Sequence, residues 1–445
     1  MAGIVGGQVS VAAPAAPSDS EARYAAPLAV LTSLFFMWGF LTCLNDIIIP
    51  HLKAVFELGY AQAMMIQFAF FAAYFIVSVP AGAVVRRVGY KSGIVIGLLV
   101  AALGCWLFYP AAGLRSYPLF LAALFVLAGG ITLLQVSANP FVAALGRAES
   151  ASARLTLTQA FNSLGTTLAP MFGSVFILST AVKSGAELAL LSPTALESYR
   201  ATEAASVQRP YLVLGATLAL LAVAFAAFRL PYVSTGSNAA PADARTGGRS
   251  IWRDRRVLLG ATGIFLYVGG EVAIGSFLVN FFKLPQIGGM DEAAGAKLVS
   301  FYWGGAMVGR FLGAVTLRVF RPGKVLRAHA LGAVLLIVTA MIGSGPLAMY
   351  AILAVGLFNS IMFPTLFALA IEGQGERTGE AAGVVCMAIV GGALVPVLQG
   401  VIADQVGVQL AFGVAALCYL YIAWYGPHSA RMSIAGIQHS SSHTV

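Results

Sequence analysis

Asp46 stands where an acid is expensive. It lies in an apolar run from about 27 to 56, and a bilayer crossing takes about 20 helical residues. By insertion scales a carboxylate at the centre of such a helix costs about 2.5–3.5 kcal/mol. Trp38, Thr42, Asn45 and Asp46 recur at helical spacing, so an aromatic plate, a hydroxyl, an amide and an acid share one face. Acids at membrane depth usually serve solute or ion pathways, which makes this face the expected lining of a wet cavity. A structural reading is also open: Asp46 capping a helix kink near the outer surface, with Pro50 beyond it. A second acid, Glu271, follows Tyr267 by one turn in a later apolar run. Gln135 and Asn139 are one turn apart just before Pro140, Gln159 and Asn162 are three residues apart, and Asn359 precedes Pro364. Each proline frees a carbonyl that a neighbour or cavity water must satisfy. Amides both donate and accept, which suits the hydroxyls of a neutral polyhydroxylated ligand, while flat rings stack on the apolar face of a sugar. The same amides also serve as glue between helices, at about 0.6 kcal/mol a bond. For any one amide both roles stay open; for the set around Asp46 lining is favoured. Arg310 falls inside an apolar run, about 15 Å from its end at 1.5 Å per residue. Two roles fit it: pairing with an intramembrane acid, or snorkelling to the interface.

The elements that must position these groups are membrane helices. The chain is 59% hydrophobic and only 10% charged, against about 25% charged for a soluble domain. Twelve apolar spans can be drawn, near 27–56, 60–85, 92–110, 117–145, 153–180, 210–230, 257–283, 296–320, 325–343, 347–371, 379–403 and 408–427. The expected fold is all-α and polytopic, with six-helix bundles at 27–230 and 257–428 joined by a polar linker at 231–256. Residues 1–26 read as a disordered tail without the pattern of a cleaved signal peptide, and 429–445 as a second tail. Of the 26 Lys and Arg, eighteen fall on one side, seven on the other, and Arg310 within a span. The positive-inside rule then puts both termini and the linker in the cytoplasm. The net charge of +9 therefore needs no nucleic acid to explain it.

The halves look duplicated. Gly82-Ala-Val-Val-Arg86-Arg87-Val-Gly-Tyr-Lys91, after the second span, matches Gly313-Ala-Val-Thr-Leu-Arg318 through Lys324 after the eighth. Gly165-Thr-Thr-Leu-Ala-Pro170 matches Gly391-Gly-Ala-Leu-Val-Pro396, and Asn139-Pro140-Phe141 matches Phe363-Pro364-Thr365. Three matches in order, six spans apart, indicate a repeated unit in parallel orientation. Carried along, the offset sets Asp46 roughly opposite Glu271. The four cysteines sit in apolar runs without a CxxC pair, and are expected to be small buried hydrophobes. The histidines form no metal-ligand set and no GxxxxGK[ST] occurs. The chain is thus expected to be no enzyme, to need no cofactor or metal, and to draw on a gradient.

Twelve spans, two parallel repeats and the basic loops after spans two and eight resemble the major facilitator superfamily. Within it, Leu44-Asn45-Asp46-Ile, Ser137-Ala138-Asn139-Pro140-Phe141, Gln159-Ala160-Phe161-Asn162-Ser163, Phe265-Leu266-Tyr267 and Gly309-Arg310-Phe311 are similar to the fucose/proton symporter family, which includes bacterial glucose/galactose transporters. The resemblance implies alternating access, a sugar site between the halves, and Asp46 as a proton-linked acid. It also implies that the loop of Gly82, Arg86, Arg87 and Lys91 latches the cytoplasmic helix ends, although the acid usual in that motif is missing here. The fucose symporter has an acid where this chain has Gln135, and an amide where it has Glu271. The second acid has crossed between halves, which fits the glucose/galactose branch and leaves proton and Na⁺ both open. The expectation is a monomeric, multi-pass inner-membrane importer of a monosaccharide. Asp46 and Glu271 would be its coupling acids. Trp38, Asn45, Gln135, Asn139, Gln159, Asn162, Tyr267 and Asn359 would form the sugar face, with Arg310 as charge partner. A proton-driven exporter and a non-transporting sugar sensor keep the same fold.

Overall fold

The computed structural model describes residues 19–56, 60–176, 187, 190–228 and 250–441. For Thr42, Asn45 and Asp46 only the helical backbone is described; their side chains lie outside the described residues, as do residues 1–18 and 229–249 of the expected tail and linker. The first half holds α1 (Asp19–Phe56), α2 (Tyr60–Gly113), α3 (Tyr117–Ala144), α4 (Ala151–Phe176) and α5 (Pro193–Ala227). The second holds α6 (Arg255–Phe282), α7 (Glu292–Val319), α8 (Pro322–Ile342), α9 (Gly345–Asn359), α10 (Met362–Ile371), α11 (Thr378–Met387), α12 (Gly391–Val406), α13 (Val408–Ala411) and α14 (Gly413–Ser441).

Ten stretches among the described residues are long and apolar enough to cross a bilayer. One of them, Phe68–Gly113, is 46 residues long. Drawn straight it would run about 69 Å, over twice the hydrocarbon thickness. Gly89 divides it: its φ of 81° and ψ of 168° interrupt the helix, in a region that costs glycine little. The basic segment expected as a loop is therefore a one-residue corner, with Gly82, Arg86, Arg87 and Lys91 on helical turns either side of it. The remaining crossing is α4, whose Thr, Gln, Asn and Ser residues keep it off a hydropathy scale. Counted so, the crossings are twelve.

Two expected spans are broken. The tenth parts at Ser360–Ile361 into α9 and α10, and the eleventh passes through a 3-10 turn at Ala388–Val390 between α11 and α12. By contrast α3 runs through Pro140 unbroken. Local chemistry sets the starts: Asp254 accepts from the amides of Arg256 (3.0 Å) and Val257 (3.3 Å) at α6, and Asp291 from that of Ala294 (2.7 Å) at α7. Phe75, Leu103, Leu220, Leu312, Leu335 and Leu417 are exposed, as lipid-facing positions require. Cys105, Cys386 and Cys418 are buried as expected, Cys43 only half-buried, and all four are free thiols.

The duplication is visible in packing. Gly165 of α4 lies against the Phe36 carbonyl of α1, and Gly391 of α12 against the Phe265 carbonyl of α6, each too close to admit a Cβ. This shared contact corrects the register read from sequence. The Phe36–Phe265 spacing, carried along the helix, sets Glu271 opposite Thr42, one turn before Asp46. Across the halves α2 and α3 pack on α11, and α4 packs on α7 and α10.

Candidate functional site

Glu271, at mid-length of α6, is the centre of a buried polar network. Tyr267 one turn earlier donates its hydroxyl to Glu271 Oε1 at 2.8 Å, and also reaches the Asn359 carbonyl at 3.2 Å. Asn359 ends α9, so the break in the tenth span is what leaves that carbonyl without a helical donor. The Asn359 amide donates to Tyr302 Oη at 2.6 Å, and Tyr302 donates to the Glu271 backbone carbonyl at 3.3 Å. Arg310 of α7 brings its Nη2 to 3.9 Å from Glu271 Oε1, with both side chains nearly buried at 14% and 12% exposure. Of the two roles open for Arg310, the structure selects the ion pair. Tyr267, Glu271, Arg310 and Asn359, chosen from three different spans, thus meet in one place.

The first-half residues fall into two further groups. Gln135 is buried and donates to Tyr74 Oη at 2.6 Å. Its Oε1, both polar side-chain atoms of Asn139, and Ser78 Oγ have no hydrogen-bond partner among the described residues. An unmet buried polar group costs about 1–3 kcal/mol, so these four atoms call for water or a hydroxyl-bearing ligand. On α4, Gln159 is buried, and Asn162 donates its amide to the Phe35 carbonyl of α1 at 2.9 Å. Trp38 is 7% exposed and tilted against Phe35, with centroids 5.2 Å apart. Asn45 and Asp46 follow on α1, their side chains outside the described residues.

Sequence reasoning missed Tyr302, Tyr74 and Ser78. A lone hydroxyl in an apolar helix gives no signal of its own, although Ser78 lies one turn from Tyr74. It also missed the partner of the basic corner. Arg86 Nη1 is 2.6 Å from Oε1 of Glu380, at the start of α11. The first half's corner thus pairs with an acid of the other half. Beneath this pair, Gly82 lies against the Gly379 carbonyl and Gly383 against the Ser78 carbonyl, so α2 and α11 meet backbone to backbone. Lys91 donates to the Ala226 carbonyl at 2.7 Å and holds the end of α5, while Arg87 is exposed. At the other end of the molecule Arg115 and Glu197 pair at 2.5 Å. The hydrogen bond from Arg115, then its charge, holds the exposed Glu197 carboxyl below its usual range.

A Cβ at Gly383 would stand 2.6 Å from the Ser78 carbonyl. Gly383→Val should therefore prise α2 from α11. Overpacking costs about 1–3 kcal/mol, so Cys386, buried one turn further along α11, should be alkylated about tenfold faster. An unchanged alkylation rate in the folded variant would show that this contact does not hold the two helices together.

The sequence family Major Facilitator Superfamily matches residues 29–389. The chain belongs to the major facilitator superfamily. It is 52% identical over 409 residues to the glucose/galactose transporter of Brucella abortus, covering 92% of this chain and 95% of that one. To the L-fucose-proton symporter of Escherichia coli it is 35% identical over 406 residues, 90% and 92% of the two chains. The crystal structure of FucP in the outward conformation superposes with a TM-score of 0.84 at 34% identity, covering 92% of this chain and 99% of that one. Superfamily membership accounts for the paired six-helix halves. It also fits the resemblance read from the Asn-Pro-Phe and Gln-x-Phe-Asn-Ser stretches.

Proposed function

We infer that this protein is a secondary active importer of a monosaccharide, a hexose such as glucose or galactose, that moves its sugar with a cation by alternating access. The observation that carries the reading is the 52% identity, over nearly the full length of both chains, to a glucose/galactose transporter. Amides and tyrosines of both halves, with one acid–base pair in the second half, support it. Proton is the favoured coupling ion, since the fucose relative is named a proton symporter. Na⁺ is the competing assignment. Glu271 and Asp46 serve as the coupling acids, one in each half. Gln135, Asn139, Gln159, Asn162, Tyr267 and Asn359 offer hydrogen bonds to sugar hydroxyls, while Asn45 and Trp38 contribute from α1. The basic tally supports an inner-membrane protein with both termini and the linker inside, so Arg86 and Glu380 close the cytoplasmic end and the state described faces outward. One chain carries both halves of the site, which supports a working monomer, and no nucleic acid is a partner.

The reading is tested by counterflow of labelled D-glucose and D-galactose in proteoliposomes, with separate pH and Na⁺ jumps. A transporter gives saturable counterflow stimulated by one of the two ions. Binding without flux would indicate a sensor, and indifference to sugars an exporter. With its amide committed to Phe35, Asn162 offers its carbonyl oxygen to a hydroxyl. Asn162→Ala should weaken sugar binding about tenfold, since leaving a polar partner unmet costs about 1–3 kcal/mol. Unchanged binding would make Asn162 a helix–helix contact.

A further inference from the structure

One guanidinium is held from three elements. Arg310 Nη2 faces Glu271 of α6 at 3.9 Å, and its Nε donates to the Ser360 carbonyl, at the α9–α10 break, at 3.3 Å. Its Nη1 donates to Ser163 Oγ of α4. Glu271 and Ser360 belong to the same half as Arg310, whereas Ser163 belongs to the other. Ser163 is buried, and its own hydroxyl proton goes to the Gln159 carbonyl at 3.1 Å, so its oxygen is turned out as an acceptor. It adjoins Asn162 and sits one turn from Gln159. The same two helices touch at three more levels: Thr156 against Gly313, Phe161 edge-on to Phe311 at 5.7 Å, and Thr167 Oγ1 with Met307 Sδ at 3.5 Å. The polar crossing at Ser163 is buried within this seam, where a charged donor is less screened than at the surface.

We propose that Ser163 is the first-half receptor of Arg310, and that this bond makes closure of the α4–α7 seam depend on whether Glu271 carries a cation. The proposal rests on Glu271 being a coupling acid. A guanidinium is a rigid planar fork, so moving toward one partner turns it away from another. With the carboxylate bare, Coulomb attraction draws Arg310 toward Glu271. Once a proton or Na⁺ neutralises the carboxylate, that attraction goes, and the Ser163 hydroxyl and Ser360 carbonyl are the partners that remain. The guanidinium then binds α4 more tightly, beside the amides offered to the sugar. A bound ion shifts a conformational equilibrium only by its differential effect on the two states. The Ser163 bond supplies such a difference, because it exists only while the halves meet at this seam. A merely structural hydroxyl would hold the seam equally whatever the charge on Glu271.

The test uses the full-length protein, with labelled D-galactose as probe. Ser163→Ala removes the acceptor and Ser163→Thr keeps it. Exchange and uphill accumulation are measured in proteoliposomes. Seam closure is measured separately, as the crosslinking rate of Thr167→Cys/Met307→Cys with Glu271 present or replaced by Gln. Ser163→Ala should exchange sugar near the parent rate yet accumulate about tenfold less, the scale of coupling between sites, and Ser163→Thr should recover accumulation. Glu271→Gln should alter the crosslinking rate in the parent and in Ser163→Thr, but not in Ser163→Ala. Parent-like accumulation in Ser163→Ala, or a crosslinking rate that still follows Glu271→Gln in it, overturns the proposal. A parent that neither exchanges nor accumulates galactose or glucose overturns the transport reading instead, while the crosslinking arm still decides the role of Ser163.

Discussion

Arg310→Leu should melt well below the parent in detergent, and Arg310→Leu/Glu271→Leu should regain much of the loss. The pair is nearly buried between α6 and α7, with 3.9 Å between Nη2 and Oε1. Removing the guanidinium leaves Glu271 with the Tyr267 hydroxyl and no opposite charge within ion-pair reach among the described residues. Breaking a buried pair from one side costs about 3–5 kcal/mol, whereas replacing both partners by apolar residues is often neutral. Glu271→Gln should destabilise less than Arg310→Leu. It leaves a guanidinium still bonded to Ser163 and to the Ser360 carbonyl, and an amide still able to accept from Tyr267. In the protein that survives, Glu271→Gln should lose uphill accumulation and keep exchange, because the group that changes charge with the coupling ion is gone. Parent-like melting of both single variants would mean that the two side chains do not stabilise one another. Full accumulation in Glu271→Gln would remove Glu271 from coupling and leave it a structural partner of Arg310.

Asp46→Asn should abolish uphill accumulation outright while preserving sugar exchange down a gradient. The position is in the apolar body of α1, where a bare carboxylate carries an insertion cost of about 2.5–3.5 kcal/mol at mid-helix. A group under that penalty alternates readily between charged and neutralised forms, and asparagine imitates the neutral form permanently. With one of the two coupling acids held in its neutral form, ion binding no longer separates the two access states enough to drive accumulation. The measurement is sugar-driven proton or Na⁺ uptake beside labelled-sugar exchange in the same proteoliposomes. Retained ion uptake in Asp46→Asn would assign coupling elsewhere, and loss of exchange along with uptake would make Asp46 a sugar ligand or a structural cap.

What the amino-acid order determines by itself is whatever the helix repeats locally. Hydropathy over windows of about 20 residues marks membrane crossings because a bilayer has one thickness. Spacing of three or four residues puts Tyr267 over Glu271 on one face, and the structure places that hydroxyl 2.8 Å from the carboxylate. Duplicate Gly165 and Gly391 motifs were legible as a repeat, and they make the same close approach in each half. The penalty for charge in lipid likewise singles out Glu271 and Arg310 without any knowledge of their neighbours. Tertiary structure alone decides who meets whom across helices. Nothing in the spacing around Arg310 tells snorkelling from pairing, because the choice depends on the face α6 turns to α7. The partner of Arg86 is an acid on α11 in the other half, found only once backbones close over Gly82 and Gly383. The match of Glu271 to Thr42 was hidden because sequence offsets drift by a turn between repeats, while a backbone contact cannot. Ser163 meets Arg310 because docking the two halves put a guanidinium against an unremarked hydroxyl. Helix periodicity is a property of each segment, whereas pairing between segments depends on the orientation and depth at which each helix docks, and no local pattern encodes either.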